Sequence, residues 1–232
     1  MASFLRSVRV LPWEDEPGRA GGFAATRAVP SVGTMLITRE FLRHPMLTGA
    51  IAASSPRLAE TMTAGLGLER AVRVAELGPG TGVFTEAVLA LLRPEARLTA
   101  VEINPRFAAA LRDRFPQVDV VTGSAEHLAA SDVDVVVSGL PWTAMTADRQ
   151  QRILDAVTAA LAPNGRFTTF AYAHAAWTPP ARRFAASLRS RFAVVERTSV
   201  VWGNLPPAFV YRAALPVSVG RAWRGQPAAA SA

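Results

Sequence analysis

From Val72 onward the chain alternates between two textures. Short apolar runs such as Val-Asp-Val-Val-Val-Ser have the period and β-branched content of buried strands, and the runs between them repeat apolar residues at helical spacing. Strands are predicted at 72–77, 97–102, 118–122, 133–138, 165–172, 192–202 and 209–215, with helices between the first five and before the sixth. Strands that alternate with helices form βαβ units, so an α/β fold with a parallel sheet, right-handed crossovers and helices on both faces is expected. Only Gly-Asn-Leu-Pro-Pro-Ala separates the last two strands, too little for a crossover helix, so these two are predicted to pair as an antiparallel hairpin.

The first part of the chain reads differently. Residues 1–33 are broken by Pro12, Pro17, Gly18, Gly21, Gly22, Pro30 and Gly33 and are read as a flexible arm. Residues 34–70 form an N-terminal helical segment, in which Ser55 before Pro56 is a helix start and Gly65 and Gly67 are its stop. The main domain is placed at 71–218, and 219–232 is read as a disordered tail.

Composition narrows the chemistry. Half of the 232 residues are hydrophobic, enough for one substantial core. The absence of cysteine excludes disulfides, thiolate zinc sites and cysteine nucleophiles, and no metal site is expected. All 25 basic residues are arginine, which excludes a Schiff base on a chain lysine. The net charge of +7 points to an anionic partner, nucleic acid or an acidic membrane surface. No apolar run reaches the roughly 20 residues that span a bilayer, and the start of the chain carries no signal-peptide pattern. A cytoplasmic protein, peripheral to the membrane at most, is expected.

The stretch Ala-Glu-Leu-Gly-Pro-Gly-Thr-Gly follows a predicted strand and opens a helix. Gly78, Gly80 and Gly82 allow a sharp turn and close backbone approach to a ligand, with unpaired helix amides at the end of the turn. Glu102 ends the second strand about 20 residues further on, where a carboxylate can accept from ribose hydroxyls. Loop and carboxylate together indicate an adenosine-containing cofactor. The glycine spacing departs from the dinucleotide fingerprint, and Glu76 is better suited to an ammonium than to a pyrophosphate.

These pieces, with Val-Glu-Ile-Asn-Pro, Thr-Gly-Ser-Ala-Glu-His-Leu and Val-Val-Ser-Gly-Leu-Pro-Trp, resemble the class I S-adenosylmethionine-dependent methyltransferases. The resemblance implies a Rossmann-like, seven-stranded, mostly parallel sheet ending in the antiparallel hairpin. It implies that Glu76 and Gly78–Gly82 hold the methionine part of S-adenosylmethionine, Glu102 the ribose, and Ile103, Ser124 and Ala125 the adenine, with Ser138 beside them. Many members have aspartate where this chain has Ser124.

In that topology the loop after the fourth strand faces the reacting methyl group. Pro141 fixes the backbone so that the carbonyls of Gly139 and Leu140 can accept from an amine, and Trp142 is expected to wall the acceptor site and attract a cation. Ribosomal RNA adenine dimethyltransferases carry Asn-(Leu/Ile)-Pro-Tyr in this loop. Here Gly139 replaces the amide, which counts against nucleic acid as the partner. The chain is more similar to bacterial phospholipid N-methyltransferases, in Phe-Leu-Arg-His-Pro-Met-Leu-Thr-Gly, Ser-Gly-Leu-Pro-Trp and Val-Trp-Gly-Asn-Leu-Pro-Pro-Ala-Phe-Val-Tyr-Arg. That resemblance implies methylation of the amine of phosphatidylethanolamine or a related aminolipid by a monomer on anionic membrane lipids. A basic-apolar helix carrying Arg39, Arg43 and His44 is expected at the interface. Leu140, Trp142 and Tyr172 are expected next to the reacting atoms. Gly139, Pro141, His174 and Arg212 are expected to contact the substrate, with His127 a further proton acceptor and Arg182 and Arg183 further phosphate ligands. An RNA adenine methyltransferase and a small-molecule amine methyltransferase remain open alternatives.

Overall fold

The computed structural model describes residues 54–217. The N-terminal arm, the basic-apolar helix with Arg39, Arg43 and His44, and the 219–232 tail therefore lie outside the described residues.

Seven strands form one sheet: β1 (Arg73–Leu77), β2 (Arg97–Glu102), β3 (Asp119–Thr122), β4 (Val133–Ser138), β5 (Leu161–Tyr172), β6 (Phe192–Arg197) and β7 (Ala208–Pro216). Their order is β3-β2-β1-β4-β5-β7-β6. β1 to β5 run parallel, while β7 pairs antiparallel with both β5 and β6. The sequence-derived fold class holds, including the antiparallel pair. Because β6 is antiparallel to β7, it points the same way as β5, and its carboxyl end joins those of the parallel strands.

Five α-helices cover the sheet among the described residues. α1 (Pro56–Thr63), α2 (Val83–Leu89) and α3 (Pro105–Arg114) lie on one face, and α4 (Ala147–Ala160) and α5 (Pro179–Arg191) on the other. Strand alternation divides the core. Val74, Val135 and Val137 pack with Leu58, Met62, Phe84 and Leu111, whereas Leu77, Val136 and Phe167 pack with Ile153, Leu154, Phe184 and Leu188. Each fully buried Leu or Phe stabilises the fold by roughly 1.5–3 kcal/mol, so the two layers hold the sheet edge that carries the loops.

The helix start read at Ser55 holds, and Asn104 caps a second helix in the same way. Ser55 Oγ accepts from Leu58 N–H at 3.2 Å, and Asn104 Oδ1 accepts from Arg106 N–H at 3.0 Å, each with proline next in the chain. Three expectations are corrected. Between β3 and β4 there is only a 3-10 turn, Ala125–His127, because the ten-residue connection, 123–132, is too short for a covering helix. The sixth strand ends at Arg197, and residues 198–207 form a loop instead of a tight hairpin turn, with Val201 bridging to Ala208 and Thr198 N–H donating to Val210 O. β5 begins at Leu161, directly after α4, with a register irregularity against β4 between Val133 and Val135.

Candidate active site

Two loops meet at the carboxyl edge of the central strands. The chain leaves β1 through Gly78, whose N–H donates to Val101 O at 2.9 Å, and leaves β4 through Gly139, whose N–H donates to Leu77 O at 2.8 Å. The loops touch so closely that a Cβ on Gly139 would lie 2.6 Å from Gly78 O, and a Cβ on Gly78, at φ 66°, would lie 2.7 Å from Leu140 Cδ2. Only glycine at both positions permits this approach.

Glu102 closes the site from β2. Its Oε2 accepts from Gly80 N–H at 3.1 Å and its Oε1 from Asn104 N–H at 2.8 Å, so one carboxylate ties the glycine loop to the start of α3. Burial holds its carboxyl above the ordinary range, although the N–H groups of Asn104 and Gly80 oppose that. Glu76 is fully buried on β1. Its Oε2 accepts from Thr85 Oγ1 at 2.7 Å, while its Oε1 has no hydrogen-bond partner among the described residues. Burial pushes its carboxyl up to about 8, with the nearby Glu102 charge adding in the same direction against the Thr85 hydrogen bond.

A cleft of about 760 Å³ opens between these loops. Of the residues singled out in the sequence, Gly78, Glu102, Ile103, Ala125, Gly139, Leu140 and Pro141 line it. Ile103 is 58% exposed and presents an apolar side chain to the cleft. Ser124 lies beside Ala125, its hydroxyl accepting from Glu126 N–H at 3.3 Å, and is occupied as a turn cap. Ser138 is buried beneath the β4 loop, with its hydroxyl facing Leu140 N–H at 3.4 Å. Gly82, at φ 83°, starts α2.

Other expected residues fall elsewhere. Trp142 is not a wall of the cleft. It is 2% exposed, stacked on Phe184 at 4.7 Å and edge-on to Phe167 at 6.1 Å, because the turn after Pro141 swings the ring into the α4–α5 layer. That turn is tight: Pro141 has φ −81° and ψ 70°, and Trp142 N–H donates to Leu140 O at 3.0 Å, an inverse γ-turn. The Leu140 carbonyl is thereby engaged within the loop and does not point freely into the site as expected. Tyr172 packs edge-on against Phe170 at 5.5 Å and stacks on His174 at 5.8 Å at the end of β5, outside the cleft lining. Arg212 donates from Nη2 to Thr61 O at 3.1 Å beneath α1, because its position in β7 faces the α1 layer, so it is not beside the cofactor loops. His127, Arg182 and Arg183 are exposed.

Sequence reasoning missed the far wall. Arg106 and Phe107 from α3 and Met145, Thr146, Arg149 and Ile153 from the start of α4 complete the cleft. Arg149 and Arg152 both pair with Glu126, at 3.2 and 2.6 Å, and fasten the Ala125 turn to α4. The one available signal was Glu126 itself, an acidic residue in a strand-to-strand turn facing an arginine-bearing helix.

The donor set fits S-adenosylmethionine. A partnerless buried carboxylate oxygen lies under a glycine loop too close-packed for side chains, Glu102 stands at the end of β2, and an exposed apolar residue follows it. Among the described residues no group of three or more His, Cys, Asp or Glu could hold a metal ion.

Comparison with known proteins agrees with the fold and the cofactor. A family model described as a methyltransferase domain matches residues 74–165. The ornithine lipid N-methyltransferase of Singulisphaera acidiphila is 34% identical over 142 residues, covering 57% of this chain and 74% of that protein. The ribosomal RNA small subunit methyltransferase A of Salinibacter ruber is 42% identical over 65 residues, but these cover only 28% of this chain and 21% of that protein. Among solved structures, an S-adenosylmethionine-dependent O-methyltransferase from Thermotoga maritima superposes with a TM-score of 0.57 at 16% identity, covering 80% of this chain and 71% of its own. The TehB-like S-adenosylmethionine-dependent methyltransferase of Corynebacterium glutamicum gives 0.53 at 16% identity, covering 77% and 97%, so both share the fold. The chain is an S-adenosylmethionine-dependent methyltransferase of the class I superfamily and belongs to the lipid N-methyltransferase family.

Proposed function

We propose that this enzyme transfers methyl groups to the headgroup amine of an aminolipid, phosphatidylethanolamine and its partly methylated forms or an ornithine lipid, at the inner face of a membrane. The carrying observation is the packing of Gly139 on Gly78 O, which leaves no room at 139 for the amide side chain that an adenine amine would require. The likeness to the ornithine lipid N-methyltransferase of Singulisphaera acidiphila supports the same substrate class. No helix among the described residues is long and apolar enough to cross a membrane, and the membrane contact proposed is peripheral.

When bound, S-adenosylmethionine supplies an electrophilic methyl group. The chain's own part is chiefly positioning, because an in-line displacement needs an amine lone pair aimed at the methyl carbon. In this reading Glu76, the Gly78–Gly82 loop and Glu102 hold the cofactor, while Ile103 and Ala125 bracket its base. The Gly139 carbonyl and the Leu140 and Pro141 side chains orient the amine. Burial of the headgroup lowers the ammonium pKa and favours the neutral nucleophile. Tyr172 and His174, stacked at the end of β5 outside the cleft lining, would meet the headgroup only where it extends beyond the cleft. Burial raises the Tyr172 phenol, so it stays protonated and serves as a hydrogen-bonding group and not as a base.

The test is methyl transfer from labelled S-adenosylmethionine to total lipid and, in parallel, to ribosomal RNA. Label comigrating with a methylated aminolipid is expected. Label in RNA alone would reject the reading.

A further inference from the structure

Three large apolar side chains stand in water at the edge of the sheet that bears the cleft. Trp202 is 78% exposed and Leu205 is 83% exposed, both in the 198–207 loop, and Trp177 is 65% exposed in the connection after β5. The two connections are joined, since Ala173 N–H donates to Pro207 O at 2.8 Å. The loop is also braced from below. Buried Asn204 accepts from Ser55 N–H at 2.9 Å and donates to Pro206 O at 2.7 Å, which fixes the tip to the start of α1. A loop held this firmly keeps Trp202 and Leu205 exposed instead of letting them fold onto the core.

Beside the tip is a second cavity, about 580 Å³, separate from the cleft and sharing none of its lining residues. Arg57 and Arg212 line it, Trp202 is part of its wall, Glu196 is the carboxylate among its lining residues, and Arg197 also borders it with its guanidinium 4.8 Å over the Phe209 ring. Guanidinium groups match phosphate oxygens in shape and charge, and tryptophan favours the boundary between headgroups and acyl chains.

We infer that the 198–207 loop and the arginine cavity beneath it form the surface that docks on an anionic bilayer, with Trp202 and Leu205 at the headgroup–acyl boundary and a lipid phosphodiester in the cavity. The surplus of arginine in the cavity and the net charge of +7 complement an anionic leaflet. A bare aliphatic Leu205 beside the tryptophan favours hydrocarbon over a stacked base. The inference rests on the aminolipid reading and adds its geometry: β6 ends at the same edge as β1 and β4, so docking there turns the cleft toward the headgroups.

The chain has no cysteine, so Leu205→Cys in the full chain accepts one polarity-sensitive dye, and Asn164→Cys near the opposite edge gives a control. A blue shift at 205 and none at 164 is expected with phosphatidylcholine vesicles containing phosphatidylglycerol, and a much smaller shift without it. Arg57→Ser should weaken co-sedimentation with the anionic vesicles roughly fivefold. A dye at 205 that stays in water while the protein sediments, failure to sediment, or a shift produced by an RNA oligonucleotide and not by vesicles would overturn the inference. Methyl transfer to an aminolipid in detergent micelles, measured on the same samples, tests the substrate assignment separately. Activity there without a shift at 205 rejects the docking surface alone.

Discussion

The indole N–H of Trp142 donates to the hydroxyl of Thr169 at 2.9 Å, and that hydroxyl donates onward to the carbonyl of Ser138 at 2.9 Å. This buried chain joins the loop after β4 to the middle of β5 and fixes the start of the Gly-Leu-Pro segment from behind. Trp142 thus acts on the cleft through Ser138 and not by contact.

Its substitution should accordingly read as lost stability. Trp142→Phe keeps the ring against Phe184 but leaves the Thr169 hydroxyl without its donor, at a cost of about 1–2 kcal/mol. Trp142→Ala should cost roughly 3–5 kcal/mol. Chemical denaturation checks both, with kcat measured on the folded fraction of Trp142→Phe. A kcat loss of a hundredfold with unchanged stability would restore Trp142 to the acceptor wall.

Gly139 should tolerate no side chain. Gly139→Ala places its Cβ 2.6 Å from Gly78 O, so the glycine loop must shift, and affinity for S-adenosylmethionine should fall at least tenfold. Gly139→Asn, which recreates the RNA-type loop, should lose as much and gain no RNA methylation. Titration calorimetry measures the first effect and labelled methyl transfer the second.

Glu76 should leave a signature in pH. Its carboxyl is raised to about 8 in the folded protein, so its contribution to stability is fully present below about 4.5 and is lost as pH rises to about 8. Glu76→Gln removes that loss. In the ligand-free protein the variant should match the wild type near the acid end and exceed it by a few kcal/mol near pH 8. Melting temperatures collected across this range decide the matter, because parallel curves for the two proteins would mean that Glu76 titrates normally. With S-adenosylmethionine bound the order should reverse, since the glutamine cannot balance an ammonium.

The ion pairs of Glu126 with Arg149 and Arg152 are partly exposed, and solvent screening keeps the contribution of such pairs to stability small. Replacing both arginines with alanine should weaken cofactor binding about two- to tenfold by releasing the Ala125 turn, with little change in kcat at saturation. The effect should shrink at high salt. An affinity unchanged at low salt would mean that the turn is held by its own capping.

Much of this protein is determined locally and is therefore legible in the chain. Strand period, Ser55 as a helix cap, and the β1 glycine loop with Glu102 depend on neighbours a few residues away, or on the fixed length of one βαβ unit. The fold class and the cofactor follow from these. Three-dimensional packing decided the rest. No residue near Trp142 in sequence reveals that the Pro141 turn would carry it into the α4–α5 layer, because Phe184 and Thr169 come from elements further along the chain. Arg212 is expected beside the substrate, but the strand face it occupies places it under α1 and beside the second cavity instead of the cleft. The α4 wall of the cleft and the exposed Trp202–Leu205 tip are equally invisible in the sequence. They exist because long-range contacts bring Glu126 to Arg149 and Asn204 to Ser55, and such contacts leave no periodic mark in the chain.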